Sequence, residues 1–291
     1  MLVNAVAGRG RAARALAGVT AALTDAGVTP RLLTAADRDD AERQAAAAVA
    51  DGVSAVAALG GDGAAHAALQ AVAGTGTPLG LLPAGTGNDL ALALGVPRDP
   101  VQAAGALAAD LLAGSVRRVD AARTGDRWWA TVLCCGFDSA VTDRANRLRW
   151  PRGPRRYDVA ILAELAQLRP REVALTVDGV GSQREVTLVA VGNTSWYGGG
   201  LRIAPGADPA DGELEVVVVG PISRRELVRT RPRLAAGTHV DHPAVTVLRG
   251  REVSLHGAGL STYADGEPVC ALPAVSVCVP GAVGVVGTGR R

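Results

Sequence analysis

The first 110 residues alternate between helical periodicity and short apolar runs that end in glycine. Leu16, Val19 and Leu23 are spaced three and four positions apart, which places them on one side of an amphipathic helix. Apolar runs at residues 54–61 and 79–85 end in glycines, and each precedes another helical segment. A repeated order of strand, loop and helix is typical of an open parallel sheet, so this part predicts an α/β domain.

From about Val116 the pattern changes to runs rich in β-branched residues, which predict strands of a mostly antiparallel second domain. These runs cover residues 172–177, 185–191, 215–219 and 275–279. One helix is expected among them, from about Tyr157 to Leu168, with an apolar face of Val159, Ile161, Leu162 and Leu165. We therefore predict an α/β domain over 1–115, a β-rich domain over 116–286 and a flexible tail over 287–291.

The basic residues number 30, and all of them are arginine. The absence of lysine excludes Schiff-base enzymes, P-loops that end in Gly-Lys-Ser/Thr, and kinases that use a lysine on strand β3. With 28 acidic residues the net charge is only +2, so the sequence gives no reason to expect nucleic-acid binding. A composition of 48% hydrophobic and 20% charged residues supports a folded core rather than a disordered chain.

Cysteine spacing and hydropathy bear on the cellular compartment in which the protein is expected. The four cysteines form no Cys-x-x-Cys pair and are interpreted as buried free thiols. The amino terminus lacks the long apolar stretch of a signal peptide, and no run of about 18 apolar residues could span a bilayer. We expect a cytoplasmic protein that can still contact a membrane surface. Trp150 lies in an arginine-rich stretch, residues 144–156, which would rest either on anionic lipid headgroups or in solvent as a basic loop.

The strongest local motif is Gly60-Gly61-Asp62-Gly63, where an apolar strand gives way to a helix. Glycines at this point let backbone N–H groups approach phosphate oxygens, and a helix amino terminus favours negative charge. A carboxylate next to phosphate is repelled, so Asp62 makes sense there if it meets Mg²⁺, a sugar hydroxyl or the substrate hydroxyl. The alternative is an ordinary tight turn.

Two further glycine loops accompany this motif. Residues 83–91 follow the next strand, and Asn88 or Asp89 could cap the helix that begins at Leu90. The other loop, Asn4 to Arg11, opens the first helix, where arginines could clamp phosphate or face solvent. Loops at neighbouring strand ends converge on the crevice where open α/β sheets bind ligands. Their combination therefore predicts a phosphate site. His66, at the start of the next helix, is expected at the surface or in a capping role.

The motifs of this chain, taken together, resemble the soluble diacylglycerol kinase family, which groups bacterial lipid kinases with sphingosine and ceramide kinases. The resemblance rests on motifs in the family's order over nearly the whole chain: Gly60-Gly-Asp-Gly, Ala84-Gly-Thr-Gly-Asn-Asp-Leu-Ala, Gly136-Phe-Asp-Ser-Ala, residues 192–214, and Asp265-Gly-Glu-Pro. It implies an ATP-dependent lipid kinase that acts on a lipid hydroxyl at a membrane surface, with diacylglycerol, which would become phosphatidic acid, as the favoured candidate substrate. The implied fold is an NAD-kinase and phosphofructokinase-like α/β domain followed by a β-sandwich-like domain, with the active site between them.

The same resemblance assigns binding positions. The ATP site would comprise Asn4, Gly8, Arg9, Arg14, Thr34, Gly60, Gly61, Asp62, Gly63, Gly85, Thr86, Asn88 and Asp89. A structural Mg²⁺ site would use Asp208, Asp211 and the backbone of Glu213, and oxygen ligands clustered in a turn suit Mg²⁺. An edge-strand homodimer would also suit the family.

The tripeptide Asp-Gly-Glu occurs twice, at residues 211–213 and 265–267. Asp-Gly between strands is by itself a hairpin signal. The second copy matches the family's catalytic tripeptide, in which a carboxylate accepts the proton of the lipid hydroxyl or aligns it. Glu267, Asp265 and Asp62 are the candidates for this base, in that order.

The sequence also departs from the family pattern. Ala64 and Ala67 stand where the family has a threonine and a glutamate, so two side-chain hydrogen bonds near the phosphates are absent. Two alternatives follow: an NAD kinase-like enzyme with the same glycine loop, and a catalytically weak homologue that binds nucleotide or lipid. The Asp265-Gly-Glu-Pro motif and residues 197–205 argue against the first.

Overall fold

The amino-terminal part is a parallel sheet flanked by helices, as the strand–loop–helix pattern predicts. The structure is a computed structural model that describes residues 1–148, 150 and 155–288. Strands β1 to β4 are parallel to one another, in the order β2–β1–β3–β4. The elements are β1 (Leu2–Val3), α1 (Ala7–Asp25), β2 (Leu33–Thr34), α2 (Arg38–Ala50), β3 (Val56–Gly60), α3 (Asp62–Val72), β4 (Leu79–Pro83), α4 (Asp89–Ala93) and α5 (Pro100–Leu112).

The remainder of the chain is dominated by antiparallel strands. Its strands are β5 (Arg117–Thr124), β6 (Arg127–Trp129), β7 (Val132–Gly136), β8 (Arg171–Val177), β9 (Val180–Val186), β10 (Leu188–Gly192), β11 (Trp196–Tyr197), β12 (Leu201–Arg202), β13 (Leu214–Val219), β14 (Val245–Gly250), β15 (Glu252–His256), β16 (Ser261–Ala264), β17 (Glu267–Ala271) and β18 (Ala274–Val286). Its helices are α6 (Phe137–Arg147), α7 (Arg155–Ala166) and α8 (Arg224–Ala236), with a 3₁₀ turn at His239–Asp241.

Two sheets enclose the core of the second domain. One has the strand order β14–β13–β10–β7–β16–β17, and the other contributes β18, β15, β8 and β9. Buried side chains from both sheets meet between them, for example Leu133 and Val216 from the first and Leu175 and Val253 from the second. Along β8 and β15 buried and more exposed residues alternate, because each strand turns one face to this core and the other to solvent. The predicted combination of an α/β domain and a sandwich-like domain is therefore confirmed.

The last strand connects the two domains. The first part of β18 pairs with β15, whereas Val285 and Val286 pair in parallel with Leu79 and Gly80 of β4. Val283, Val285 and Val286 are buried in the core of the α/β domain. The parallel sheet is thus completed by residues that follow the whole second domain in sequence. The boundary near Ser115 stays a prediction, and residues 289–291 of the predicted tail lie outside the described ranges.

Several details differ from the expectations. The described part of the second domain holds α6 and α8 in addition to the single predicted helix. In α7 the predicted apolar face is only partly right. Ile161 packs with Ala160 against α6, as predicted for Ile161, whereas Leu162 is 67% exposed and Val159 is 42% exposed. Cys134, Cys135 and Cys278 are buried as expected, but Cys270 is exposed because it lies on the edge strand β17.

Candidate active site

Three glycine loops touch one another at the carboxyl edge of the parallel sheet: the first (4–11) follows β1, the second (60–63) ends β3 and the third (83–91) follows β4. A Cβ on Gly8 would lie 2.0 Å from the carbonyl oxygen of Ala84, and φ at Gly8 is +57°. A Cβ on Gly85 would lie 2.4 Å from the Cα of Gly61. Real Cβ atoms do not approach backbone this closely, so a side chain at either glycine would force the loops apart. The glycines are therefore needed to bring the loops together.

The sequence-predicted nucleotide positions all lie along this edge. Asn4 follows β1, Thr34 ends β2, and the other two loops follow β3 and β4, because parallel strands end on the same side of a sheet. The backbone N–H of Asn4 donates to the carbonyl of Leu59, 3.0 Å away, and so ties the first loop to β3. The family resemblance places Thr34 at the start of the second helix, but the residue ends β2 instead, since α2 begins at Arg38. The role of these positions in ATP binding stays a prediction.

The predicted arginines lie at the start of α1. Gly8, Arg9 and Gly10 all have left-handed backbone angles, so the regular helix starts after them. Arg9 and Arg14 are exposed, and Nη1 of Arg14 donates to the Arg9 carbonyl at 3.3 Å. Arg11 points toward the third loop, with Nη1 3.4 Å from the carbonyl oxygen of Gly85. Both predicted arginines therefore keep most of their guanidinium N–H groups available to a ligand.

Asp62 stabilises the third loop. Its two carboxylate oxygens accept hydrogen bonds from the backbone N–H groups of Asn88 (2.8 Å) and Asp89 (2.7 Å) at the start of α4. The predicted capping by the side chain of Asn88 or Asp89 is wrong, because Asp62 takes that place and the Asn88 side chain bonds to Gly85 instead. Burial raises the pKa of Asp62 above its usual value.

Asp89 connects this loop to the second domain. Its carboxylate accepts from the N–H groups of Gly199 (2.9 Å) and Gly200 (2.8 Å), in the turn between β11 and β12. Burial, and then the negative charge of Asp62, raises the pKa of Asp89 to about 6. A glycine turn of the second domain is thereby held against the glycine loop of the first.

The hairpin between β16 and β17 brings the second Asp-Gly-Glu tripeptide to the same place. Asp265 and Gly266 have φ of +53° and +83°, as a tight hairpin turn requires. The Asp265 carboxylate accepts four hydrogen bonds, from Nδ1 of His66 (3.0 Å), the Ala130 N–H (3.1 Å), the Thr131 N–H (2.9 Å) and the Thr131 hydroxyl. Burial alone would raise the pKa of Asp265, but the His66 and Thr131 bonds outweigh it and hold this pKa below its usual value.

Glu267 is held differently from Asp265. Its Oε2 forms an ion pair with Arg38, at the start of α2 in the first domain. Its Oε1 faces the glycine loop, since a Cβ on Gly63 would lie 3.4 Å from that oxygen. The Glu267 side chain is 25% exposed, compared with 6% for Asp265. Of the two carboxylates, Glu267 is the one with an oxygen left for a substrate.

His66 is not at the surface, and this expectation is wrong. The ring is 2% exposed and lies between Asp265 on one side and Arg127 and Gln70 on the other. Its helix, α3, packs against the sheet on one side and against α2 and β6 on others, so a side chain in its first turns is enclosed.

The predicted Mg²⁺ ligands face an arginine. Arg249 pairs with the carboxylate of Asp211, and its Nε lies 3.4 Å from Glu213. In the residues that the structure describes, no three His, Cys, Asp or Glu side chains gather closely enough to enclose a cation. A Mg²⁺ ion held by the carboxylates of Asp208 and Asp211 and the backbone of Glu213 would have to displace Arg249 from Asp211. The assignment of Asp208, Asp211 and Glu213 stays a prediction.

The two departures from the family pattern pack in the interior. Ala67 is 1% exposed and lies among Leu2, Leu33 and Ala41. Ala64 is 5% exposed and lies close to β3: a Cβ on Gly60 would be 2.7 Å from the Cβ of Ala64. Both alanines thus serve helix packing beside the loop.

Three side chains that surround the tripeptide were not expected there from the sequence: Arg38, His66 and Arg127. Weak signals existed for two of them. Arg38 is a cation in the first turn of a helix, where the helix dipole disfavours positive charge, so a specific anionic partner was to be expected. His66 is polar within a helix of alanines whose neighbouring positions are all buried. For Arg127, whose partner Glu42 is 85 residues away, the sequence offers no local signal.

The fold is that of two-domain kinases of the NAD kinase type. A diacylglycerol kinase from Bacillus anthracis str. Sterne superposes with a TM-score of 0.74 at 19% identity, over 98% of this chain and 94% of that one. An NAD kinase from Archaeoglobus fulgidus, solved in complex with ATP, gives a TM-score of 0.57 at 14% identity, over 98% and 91%.

The sequence comparisons define the family within that class. A diacylglycerol kinase catalytic domain matches residues 1–124, and a YegS C-terminal NAD kinase beta sandwich-like domain matches residues 131–287. A diacylglycerol kinase of Mycobacterium tuberculosis strain H37Rv is 42% identical over 98% of this chain and 93% of its own length. A probable lipid kinase YegS-like protein of Stenotrophomonas maltophilia strain K279a is 32% identical over 84% and 82%.

The chain therefore belongs to the diacylglycerol kinase family, and it is a lipid kinase. Membership of a kinase family implies the use of ATP. The predictions of family and enzyme class are confirmed. In the described ranges no helix is both long and apolar enough to cross a membrane.

Proposed function

We propose that this lipid kinase transfers the γ-phosphoryl group of ATP to the free hydroxyl of diacylglycerol and forms phosphatidic acid. The observation that carries the proposal is the proximity of Glu267 to Gly63. It places a carboxylate of the second domain next to the glycine loop of the first domain, which is of the kind that binds phosphate. A bond forms between the hydroxyl oxygen and the γ-phosphorus, the bond to the bridging oxygen of ADP breaks, and the hydroxyl proton passes to Glu267.

Hydrogen bonding supports Glu267 as the proton acceptor. Asp265 already accepts four hydrogen bonds, and Asp62 uses both of its oxygens to hold α4. Glu267 keeps Oε1 free, while Arg38 holds Oε2. Phosphoryl transfer has a loose transition state and needs positioning of the hydroxyl more than strong deprotonation, and the ion pair with Arg38 supplies such positioning.

The remaining residues would bind and neutralise phosphate. Backbone N–H groups of the three glycine loops would face the phosphate oxygens, and Arg9 and Arg14 would approach from the start of α1. Mg²⁺ would neutralise charge on the phosphates. A second, structural Mg²⁺ at Asp208, Asp211 and Glu213 remains part of the proposal. A Mg²⁺-dependent rise in melting temperature that is absent from Asp208→Ala would support it, and equal responses of both proteins would argue against it.

We further propose that the enzyme is cytoplasmic and works at the inner membrane surface, where its lipid substrate resides. Helix α8 carries five arginines and one glutamate in 13 residues, and none of its residues is buried. Trp150 is 82% exposed, although Arg149 and residues 151–154 of the same basic stretch lie outside the described ranges. Both features suit anionic headgroups, with roughly 1 kcal/mol for each basic residue near the surface. An edge-strand homodimer is retained as a prediction.

The test is phosphate transfer from radiolabelled ATP to a panel of acceptors. The panel contains diacylglycerol, monoacylglycerol, a sphingoid base, ceramide and NAD. We expect label on diacylglycerol, since that is the substrate in the name of a relative 42% identical to this chain. Label on NAD alone would refute the proposal. ATP binding without label on any acceptor would favour a non-catalytic homologue.

A further inference from the structure

The ring of His66 meets different chemistry at its two nitrogens. Nδ1 lies 3.0 Å from a carboxylate oxygen of Asp265. Nε2 lies 3.2 Å from Nε2 of Gln70 and 3.2 Å from Nη2 of Arg127. The position of the ring proton therefore depends on what each of these neighbours can donate or accept.

Gln70 acts as a donor toward the ring. Its Nε2 donates to the Trp128 carbonyl (2.7 Å), while its Oε1 accepts from the Trp128 N–H (3.1 Å). This pair of bonds to the backbone of one residue, Trp128, fixes the orientation of the amide, so the group near His66 is the NH₂ group.

Arg127 is a donor as well. Its guanidinium makes two parallel bonds to the Glu42 carboxylate, at 2.8 and 2.7 Å, and has no acceptor atom. Nε2 of His66 thus faces two donors and must carry the lone pair. The proton then sits on Nδ1 and is donated to Asp265.

We propose that His66 is a positioning residue for phosphoryl transfer: its Nδ1–H fixes the Asp265 carboxylate and, through it, the turn that carries Glu267. The inference rests on the proposed function of Glu267. His66 belongs to α3, which starts at the glycine loop, whereas Asp265 belongs to a hairpin of the second domain. The His66–Asp265 bond therefore sets the glycine loop and the carboxylate hairpin at a fixed distance.

The backbone of this turn explains why an anchor is needed. Asp265 is a non-glycine residue at φ +53°, a conformation that L-residues adopt infrequently. Its side chain makes no bond within its own hairpin in the described structure, and all four of its donors come from α3, Ala130 and Thr131. Removal of the His66 donor leaves one Asp265 oxygen with the Ala130 N–H alone. The turn can then shift, and Glu267 shifts with it.

Two nearly isosteric variants isolate the donor. Asparagine at position 66 can place an N–H near the position of Nδ1, whereas leucine has a similar shape and no donor. We expect His66→Leu to lower kcat roughly 10²-fold, as misplacement by about 1 Å does, with KM for ATP near that of the wild type. His66→Asn is expected to recover most of that loss. His256→Leu, an exposed histidine on β15, is the matched control and should behave as the wild type.

Wild-type kcat in His66→Leu, or an equal loss in both variants, would overturn the proposal. Histidine ¹⁵N NMR supplies a second readout that does not depend on activity, because protonated and lone-pair nitrogens of a neutral ring have well-separated shifts. The His66 signal, assigned by its absence from the variants, should show the Nδ1–H form, and the Nε2–H form would contradict the proposal. If the wild type phosphorylates no lipid, the proposed function fails, and the NMR result alone decides whether His66 donates to Asp265.

Discussion

The two carboxylates of the Asp265–Glu267 turn are expected to respond differently to replacement by an amide. Glu267→Gln removes the proposed proton acceptor but keeps the shape of the side chain. General base catalysis contributes roughly 10²–10⁴-fold, so kcat should fall by that factor, which corresponds to about 3–5 kcal/mol. The lost ion pair with Arg38 is partly exposed, at 38% and 25%, and such pairs contribute about 0–1 kcal/mol to stability. The melting temperature should therefore change little.

Asp265→Asn removes an acceptor that the fold uses. Four donors surround the carboxylate, and an amide offers one acceptor oxygen, so its NH₂ group must face one pair of N–H or O–H donors. Leaving a buried donor without a partner costs about 1–3 kcal/mol. For a chain of this size each kcal/mol lowers the melting temperature by roughly 2–4 °C. Asp265→Asn should thus lose stability as well as activity.

The assay measures both quantities on the same preparations: initial rates of phosphate transfer to diacylglycerol at saturating ATP, and thermal unfolding without substrate. Glu185→Gln is a suitable control, since this carboxylate is exposed on β9 and lies in neither the hairpin nor the glycine loops. Glu267→Gln with at least a tenth of wild-type kcat would refute its role as proton acceptor. An unchanged melting temperature in Asp265→Asn would refute the hydrogen-bond account of the turn.

Three further outcomes are expected. Burial and the charge of Asp62 raise the pKa of Asp89 to about 6, so the folded state binds this proton more tightly than the unfolded state, where the ordinary pKa is 3.8. In denaturant titrations, the stability of the wild type relative to Asp89→Asn should therefore fall as pH rises from about 4 to 6 and then level off. A stability difference that does not change with pH would contradict this prediction. Arg9→Lys and Arg14→Lys should each raise KM for ATP if their forked N–H groups bind phosphate, whereas unchanged kinetics would assign both arginines to solvent. The double variant Arg225→Gln, Arg229→Gln should bind phosphatidylserine vesicles roughly 30-fold more weakly in co-sedimentation, at about 1 kcal/mol for each arginine. Its turnover on a dispersed short-chain diacylglycerol should stay unchanged. Vesicle binding equal to that of the wild type would exclude α8 as the membrane contact.

The features that could be predicted from the sequence are those with a local cause. The glycine loops can touch one another at the strand ends because Gly8, Gly61 and Gly85 allow contacts that a Cβ would block. The glycines that meet this requirement are visible in the sequence motifs. The Asp265-Gly266 turn is likewise local, as two left-handed residues between two strands. Family motifs added order and chemistry to these local signals.

The features that were missed depend on distant partners or on weak patterns. Helix α8 has no buried face, so no apolar periodicity marks it, although Ser223 and Glu226 form a capping box and Gly237 ends it. The apolar face of α7 was misassigned because Leu162 resembles a core residue by type and yet points to solvent. The burial of His66 follows from Asp265, 199 residues away, and the partners of Arg38 and Arg127 are similarly distant.

The return of β18 to the first domain also bears on how the protein is made. Residues 1–115 can begin to fold as soon as they leave the ribosome, but the strand that covers β4 consists of Val285 and Val286. Until these residues are synthesised, β4 presents an open, apolar edge of the kind that pairs with other chains. The parallel sheet of the first domain can therefore be completed only after translation has passed the entire second domain, and a chain that stops early should aggregate rather than persist as a folded first domain.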